Sequence, residues 1–309
     1  MNIWILMPVF NDWESCAILL EKAEVELKKN PAFNYSFAIV NDFSTLPIPD
    51  NFENNFNNQI KIIQLNRNVG HQRAIALGLC YIQKELPCDY VIVMDADGED
   101  RPQDIPLLID EAIKQNGKII FAKRTKRFEG LWFRFFYKWY KFFFRILTGK
   151  TIAFGNFCVI PYDKLKNIVF VSELWNHFSG GILRSRIPYS SIPLERGVRY
   201  AGQSKMNFIS LVMHGLSAIS VYTDTLAVRI LLSSLGLIFI ALITIFIVAG
   251  IRLFTPFAIP GWASFVVIGI LIIIFQAFMI SLFLVFNVLN YRTQQHFIPA
   301  LEYKKFIEE

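Results

Sequence analysis

The sequence predicts an α/β protein: a mainly parallel sheet in the first part of the chain, followed by a hairpin of two membrane-spanning helices. Three observations lead there. Short apolar runs alternate with segments of helical periodicity over residues 1–125. Polar clusters directly follow several of those runs. Two long stretches with almost no charge fill most of residues 226–289.

The runs at 3–7, 35–40, 60–65, 90–94 and 118–122 are strand candidates, and 13–29, 72–85 and 104–115 carry apolar residues at helical spacing between them. Strands that are apolar throughout belong to a parallel sheet covered on both faces. Ligands of such sheets bind beyond the carboxyl ends of the strands. Asn11-Asp12, Asn41-Asp42 and the acidic run 95–100 all fall at those ends. The opening run lacks a basic leader and is cut by Pro8, so it reads as a buried strand rather than a signal peptide.

Between 123 and 149 the character changes. Arg134, Lys138, Lys141 and Arg145 form one stripe on a helix, and Trp132, Phe133, Phe135, Phe136, Trp139, Phe142, Phe143 and Phe144 fill the rest. A narrow basic stripe on a broad aromatic surface suits an amphipathic helix lying in the lipid headgroup zone. A core helix with snorkelling basic ends is the competing reading. Residues 150–225 return to mixed composition, and 51–58 read as an Asn-rich surface loop.

The stretch 226–251 holds one charge, Arg229, and 263–289 holds none. Each exceeds the roughly 20 residues needed to cross about 30 Å of hydrocarbon. The short linker 252–262 contains Pro256 and Pro260, so the two spans should form a hairpin that returns the tail to its starting side. Arg229, Arg292, Lys304 and Lys305 flank that side against Arg252 on the other, which makes it cytoplasmic. The expected division is thus 1–125 α/β core, 126–225 mixed region with interfacial helices, 226–291 transmembrane hairpin and 292–309 cytoplasmic tail.

Composition agrees. Apolar residues make up 54% and thirty are Phe, more than one soluble core hides. The net charge of +6 and pI near 9.1 suit an anionic membrane surface rather than nucleic acid, because the basic residues lie beside aromatic and apolar segments. Cys16, Cys80, Cys88 and Cys158 have no metal-ligand spacing and read as reduced thiols of a cytosolic domain.

The chemistry gathers at Asp95-Ala96-Asp97-Gly98-Glu99-Asp100, directly after an apolar strand and before Arg101-Pro102 and a helix. Carboxylates this dense raise one another's pKa unless a cation intervenes. Mg²⁺ or Mn²⁺ fits, since both favour carboxylate oxygens and bridge to substrate phosphates. A solvated turn with a capping Asp is the alternative.

Together with Met7-Pro8-Val9-Phe10-Asn11-Asp12, Val40-Asn41-Asp42-Phe43-Ser44 and Asn66-Arg67-Asn68-Val69-Gly70-His71-Gln72, this run resembles the family 2 glycosyltransferases of the polyisoprenyl-phosphate branch. That branch includes dolichyl-phosphate mannose synthase and bacterial undecaprenyl-phosphate glucosyltransferases. The resemblance covers about residues 1–225 and implies a GT-A fold, a UDP- or GDP-sugar donor, a polyisoprenyl phosphate acceptor and a divalent metal. It implies that Pro8, Phe10, Asp12 and Asp42 line the nucleotide pocket, that Asp95 and Asp97 hold nucleotide and metal, and that Glu99 joins them where many members carry Gln. Asn41 and Phe43 replace the usual Asp and Gly of the second motif, which leaves the base open. His71 and Gln72 open a helix whose amides can face a diphosphate; for His71, a helix-end hydrogen-bonding role competes.

Residues 195–205, from Glu195 to Lys205, are similar to the family's Arg…Arg…Gly-x-Ser-Lys signature. Two phosphorylated partners repel each other, and Arg199 and Lys205 can offset that repulsion. In Gly155-Asn156-Phe157-Cys158, Asn156 stands where many members have Asp, and Cys158 where Arg is common. An amide cannot act as a general base, which a hydroxyl acceptor needs. A phosphomonoester, with a second pKa of about 6, does not need one. Asn156 therefore favours a lipid phosphate, unless Glu173 or another carboxylate substitutes. Trp175, Asn176 and His177 can line the acceptor side, although His177 reads more simply as structural; His214 reads as packing, and His296 carries no signal.

The resulting expectation is inverting transfer from a nucleotide-sugar to a polyisoprenyl phosphate by an integral membrane protein with a cytoplasmic catalytic domain. A transferase acting on another lipid or glycan is the first alternative, although the Gln-x-x-Arg-Trp motif of processive members is absent. A catalytically impaired nucleotide-sugar-binding scaffold is the second. Self-association into a homo-oligomer stays open.

Overall fold

The computed structural model describes residues 1–50, 52–124, 131–150, 154–202, 208–255, 261–293 and 297–308. Lys205, Pro256, Pro260 and His296 lie outside the described residues, as do the side chains of Trp132, Phe133, Arg134, Phe135, Phe136, Lys138 and Arg292. The chain divides into two units. The first comprises Met1–Tyr140, Thr151–Val221 and His296–Glu309, the second Lys141–Lys150 and Tyr222–Gln295.

The first unit is built on β1 (Asn2–Val9), β2 (Asn34–Asn41), β3 (Ile60–Gln64), β4 (Tyr90–Val93), β5 (Ile119–Arg124), β6 (Cys158–Pro161) and β7 (Tyr189–Leu194). They form one sheet in the order β3-β2-β1-β4-β6-β5-β7. Every neighbouring pair is parallel except those made by β6, which runs antiparallel to β4 and β5. The mainly parallel sheet expected from the sequence is thus present, and each expected strand lies within a few residues of an observed one. β6 and β7 were not expected. β6 is apolar throughout but only four residues long and ends at a proline; β7 is half exposed and contains Pro193, so it lacks the apolar pattern.

Side chains alternate along β1 with the period of two that a strand imposes. Trp4 and Leu6 join the core under α2 (His71–Glu85), while Ile3, Ile5, Met7 and Val9 join the core under α1 (Trp13–Leu27) and α3 (Ile105–Lys114). Burial of each large aliphatic side chain here contributes about 1.5–3 kcal/mol. α2 lies closest to the sheet at Gly78, where a methyl group would overlap Leu6 Cδ1 and Val40 Cγ2. The same face carries α5 (Tyr162–Ile168) and α6 (Phe178–Ser185).

The C-terminal segment rejoins this unit. The short α10 (Pro299–Glu302) follows an ordered approach at 297–298, and Ala300 and Tyr303 enter the core under α2. Leu65 and Ile307 form an antiparallel bridge. All four cysteines are free; Cys16, Cys80 and Cys158 are buried, and burial pushes the Cys16 thiol up to about 12.

In the second unit α8 (Thr223–Phe254) packs along α9 (Trp262–Thr293). The most apolar window of each reaches a mean hydropathy of 2.8, yet only 6% and 11% of those windows is buried. Phe239, Phe246, Phe265 and Phe283 are exposed, whereas a helix of a soluble core would hide such side chains. Ser234, Thr244 and Ser281 bond the carbonyls one turn back, at 2.8–2.9 Å, so their hydroxyls need no water. Both helices are therefore long and apolar enough to cross a membrane. Arg229 donates to the carbonyls of Arg145 and Ile146 at the end of α4 (Leu131–Thr148), where a cation complements the helix dipole. The described part of α4 keeps Trp139, Phe142, Phe143 and Ile146 exposed.

Candidate active site

The acidic turn leaves the carboxyl end of β4, and the chain next to β1, β5, β6 and β7 supplies what surrounds it. Gly98 turns the chain at φ +90°, and a side chain there would collide with the ring of Tyr200. Asp97 Oδ1 accepts from Glu99 N at 3.0 Å, closing the turn. Asp100 is buried; its Oδ2 accepts from Asp95 N at 3.0 Å and its Oδ1 from Arg124 Nη2 at 3.1 Å. Arg124, the last residue of β5, also lies 3.6 Å from Glu99 Oε2.

β7 is parallel to β5 with Leu194 opposite Arg124, so the chain leaving β7 emerges over the acidic turn. Two backbone bonds hold it there, Gly197 N to Glu99 O at 2.8 Å and Tyr200 N to Asp97 O at 3.0 Å. Arg199 is thereby delivered between two carboxylates: Nη1 donates to Asp97 Oδ2 at 3.0 Å, and Nη2 donates to Asp12 Oδ2. Ser15 secures the far end through both the N–H and the carbonyl of Ala201. Arg196 donates to Glu99 Oε2.

On the other side β6 matters because it is antiparallel. Its first residue, Cys158, pairs with Val93 at the end of β4, which brings Asn156 beside Asp95. Asn156 Nδ2 is 3.0 Å from His71 Nε2, and Asp95 Oδ1 is 3.2 Å from the same nitrogen. With Nε2 unprotonated, Asn156 Nδ2 donates to it and leaves Oδ1 to Gln72; a proton on Nε2 would serve Asp95 and turn the Asn156 amide over, so tautomer and amide orientation are set together. Gln72 connects this group onward: Nε2 donates to Asn156 Oδ1 at 3.4 Å, and Oε1 accepts from Phe178 N at 2.7 Å. His177 caps α6 by accepting from Gly180 N through Nδ1 at 3.0 Å and lies tilted against His214 of α7 (Phe208–Ser220) with ring centroids 4.7 Å apart.

Asp42 is placed differently from the other acids. It is 3% exposed, Oδ1 accepts from Val69 N at 2.7 Å, and Oδ2 accepts from Gly70 N at 2.9 Å. Both oxygens therefore hold the loop that starts α2. Asn41 is buried and bonds Gln64 and Ser44 N. Phe10 and Phe43 are exposed at the ends of β1 and β2, and Phe43 sits at φ +57°. Asp12, Asp95, Asp97, Glu99 and Arg199 are thus gathered on one side and His71, Gln72 and Asn156 on the other, meeting at Asp95. Pro8 is buried at the end of β1, and Lys205 lies outside the described residues.

Residues 4–167, more than half the chain, match Glycosyl transferase family 2. The chain belongs to that family. It is 29% identical to the uncharacterized glycosyltransferase YkcC of Bacillus subtilis (strain 168), over 86% of this chain and 82% of that protein. It is also 29% identical to the undecaprenyl-phosphate 4-deoxy-4-formamido-L-arabinose transferase of Proteus mirabilis (strain HI4320), over 43% of this chain and 40% of that one. Among solved structures, glucosyl-3-phosphoglycerate synthase from Mycobacterium tuberculosis with Mn²⁺, uridine-diphosphate and phosphoglyceric acid superposes with a TM-score of 0.49. That match has 10% identity and covers 73% of this chain and 78% of the synthase.

This family 2 glycosyltransferase gathers more carboxylates than guanidiniums at the site. Among the described residues, Asp12, Asp97, Glu99 and Asp100 pair with the guanidiniums of Arg124, Arg196 and Arg199, and Asp95 pairs with His71. Burial, and then the charge of Asp95, push Asp97 up to about 6. Asp100 is raised by the same two causes. Burial would raise Asp95 too, but His71, Arg124 and Arg196 hold it below the usual range. For His71 burial acts downward, yet Asp95, Asp100 and Asp97 outweigh it and the net direction is up.

The donor set suits a hard cation. Asp95 Oδ1 is buried without a well-formed hydrogen bond, its neighbour being His71 Nε2 at 3.2 Å. The expected trio of Asp95, Asp97 and Glu99 is not gathered, however: among the described residues no three His, Cys, Asp or Glu groups cluster for a metal. Glu99 points instead at Arg124 and Arg196. The residues fit the mode in which one or two carboxylates and substrate phosphates share a Mg²⁺-type ion. Arg124 and Ser15 were not singled out from the sequence, while Asp100 and Arg196 stand inside the quoted motifs without a role of their own. Of these, Arg124 was within reach of the strand-end rule that selected Asp12 and Asp95.

Proposed function

We propose that this glycosyltransferase moves a sugar from a nucleotide-sugar, UDP- or GDP-linked, to a polyisoprenyl phosphate at the cytoplasmic face of a membrane, with inversion at the anomeric carbon. The observation that carries the reading is Arg199 bridging Asp12 and Asp97 beside the buried carboxylate of Asp95. A diphosphate with its cation would exchange places with those ion pairs, taking the guanidinium as a donor and leaving the carboxylates to the cation.

An oxygen of the acceptor phosphate attacks the anomeric carbon opposite the diphosphate. The new C–O bond forms as the bond to the diphosphate breaks, and the electron pair leaves on the nucleoside diphosphate. Arg199 meets the charge that develops there, and the amides opening α2 add to it. The attacking oxygen needs no base, consistent with an amide at Asn156; Asn156 instead orients His71 and Gln72. A Mg²⁺ or Mn²⁺ held by Asp95 and Asp97 would supply charge stabilisation to the departing diphosphate. Exposed Phe10 and Phe43 offer aromatic faces to a base.

The lipid acceptor is supported by the two long apolar helices, by the exposed aromatics of α4, and by the P. mirabilis relative, which is named for undecaprenyl phosphate. The test incubates the purified full chain with a panel of nucleotide-sugars, Mg²⁺ or Mn²⁺, and undecaprenyl phosphate, with products read by mass spectrometry. One glycolipid carrying one sugar is expected; no glycolipid from any donor would overturn the reading.

A further inference from the structure

The segment after α9 returns to the sheet unit at one particular place, the loop that leads into α2. Asn66 N donates to Phe306 O at 2.9 Å, and Asn66 Nδ2 donates to Lys305 O at 3.3 Å. Glu308 N donates to Gln64 O at 3.0 Å. The Arg67 guanidinium stands over the Phe306 ring, 5.5 Å from its centroid. Phe306 also packs on Trp175 at 5.2 Å and on Phe297 at 5.8 Å, and Arg73 covers Trp175 at 5.2 Å. Lower down, the Tyr303 hydroxyl donates to Glu85 Oε1 at 2.8 Å, so the segment grips α2 near both ends.

What it grips is the loop on which the site depends. Residues 66–70 run directly into His71 and Gln72, the residues that meet Asp95 and Asn156. From the inside, the loop is held by Asp42 through Val69 and Gly70 and by Asn68 Nδ2 donating to Asp42 O at 2.9 Å. From the outside, among the described residues, its backbone is held by the returning tail. Loops held only from one side populate open states that bind ligand poorly.

We propose that the C-terminal segment 297–308 is a clasp that positions the 66–72 loop for the donor, with Phe306 as its positioning residue. Phe306 does not touch substrate; its ring, packed under Arg67 and against Trp175 and Phe297, seats the segment whose carbonyls hold Asn66 and so the backbone that presents His71 and Gln72. Because the segment begins four residues after Thr293, the end of α9, the clasp also joins the apolar hairpin to the donor loop along the chain. The inference about donor binding rests on the reading of the site as a nucleotide-sugar site; the inference about the loop does not.

The test compares wild type, Phe306→Ala, Phe306→Tyr and Arg67→Ala as full chains in the same detergent micelles. Hydrogen–deuterium exchange over residues 64–75 is read first, and it needs no turnover. Phe306→Ala should speed exchange in that segment while β1 and β4 stay protected. If the competent loop population falls to about one tenth, the donor KM rises about tenfold, with kcat nearly unchanged. Phe306→Tyr keeps the ring and should restore both readouts, and Arg67→Ala should give a smaller change of the same kind. Wild-type exchange and wild-type donor KM in Phe306→Ala would overturn the clasp. Should Phe306→Ala fail to fold, Arg67→Ala decides by the same two readouts. Wild type that turns over no donor while Phe306→Ala still loosens the loop would overturn the proposed function and leave the clasp standing.

Discussion

Replacing Asp42 by Asn separates a scaffold role from a ligand role for the buried acid after β2. Its two oxygens meet Val69 N at 2.7 Å and Gly70 N at 2.9 Å. An amide keeps one acceptor and turns its NH₂ toward the other backbone N–H; rotating it only changes which one is orphaned. A buried donor without an acceptor costs about 1–3 kcal/mol, and the surviving bond loses about 1 kcal/mol of charge assistance. Opposing this, burial pushes the Asp42 carboxyl above its usual range, so removing the charge returns part of that desolvation cost. The net loss is about 1–3 kcal/mol, which lowers the melting midpoint of a unit this size by about 2–10 °C. Intrinsic fluorescence of the full chain in micelles measures that midpoint, and amide exchange at Val69 and Gly70 should quicken with it. A wild-type midpoint combined with lost nucleotide affinity would refute the scaffold role and give Asp42 to the nucleotide.

Other perturbations have equally definite outcomes. Arg199→Ala removes the donor shared by Asp12 and Asp97 and should lower kcat about 10²–10³-fold at saturating donor; an unchanged kcat would place Arg199 outside the reaction. His177, pulled down to about 3 by burial and then by His214, stays neutral in the fold, while the unfolded residue takes a proton below its ordinary 6.5. Stability should therefore fall from pH 6.5 toward 3, at up to about 1.4 kcal/mol per unit. The raised Asp97 and Asp100 work the opposite way in part of that window, so the comparison is with His177→Asn, which can still accept from Gly180 N. The variant's acid loss should be shallower, and parallel curves would contradict the assignment. Phe43→Gly should keep or raise the midpoint, because relief of about 1–2 kcal/mol of left-handed strain offsets glycine's entropy cost of about 0.5–1 kcal/mol. A clear drop would mean the Phe43 ring packs structurally rather than waiting for a ligand.

The parts of this molecule that were legible in the sequence are those governed by local pattern. β1, β2 and β4 are apolar on both faces and announce a covered parallel sheet, and the acids that follow them mark the site by position alone. α8 and α9 are legible for the same reason: length and apolarity suffice. β6 was missed because a four-residue apolar run ending in Pro161 fits a strand or a loop equally well. Its antiparallel direction, which brings Asn156 to Asp95, depends on pairing across distant sequence. The partners of the acids were also out of reach. Nothing local says that Arg199 bridges Asp12 and Asp97 rather than facing solvent, or that Glu99 turns to Arg124 and Arg196. The docked C-terminal segment left only a faint mark, Phe297, Tyr303 and Phe306 among charged neighbours, which aromatic burial at a distance explains afterwards.

The most direct measurement of the central claim is calorimetric titration of UDP and GDP into the full chain, once with Mn²⁺ and once with EDTA. A site of paired carboxylates and a bridging arginine should bind one nucleoside diphosphate, and the cation should tighten it by about tenfold or more. Asp97→Asn should remove that increment. Absence of heat with either nucleotide, with or without the cation, would contradict the account at its root.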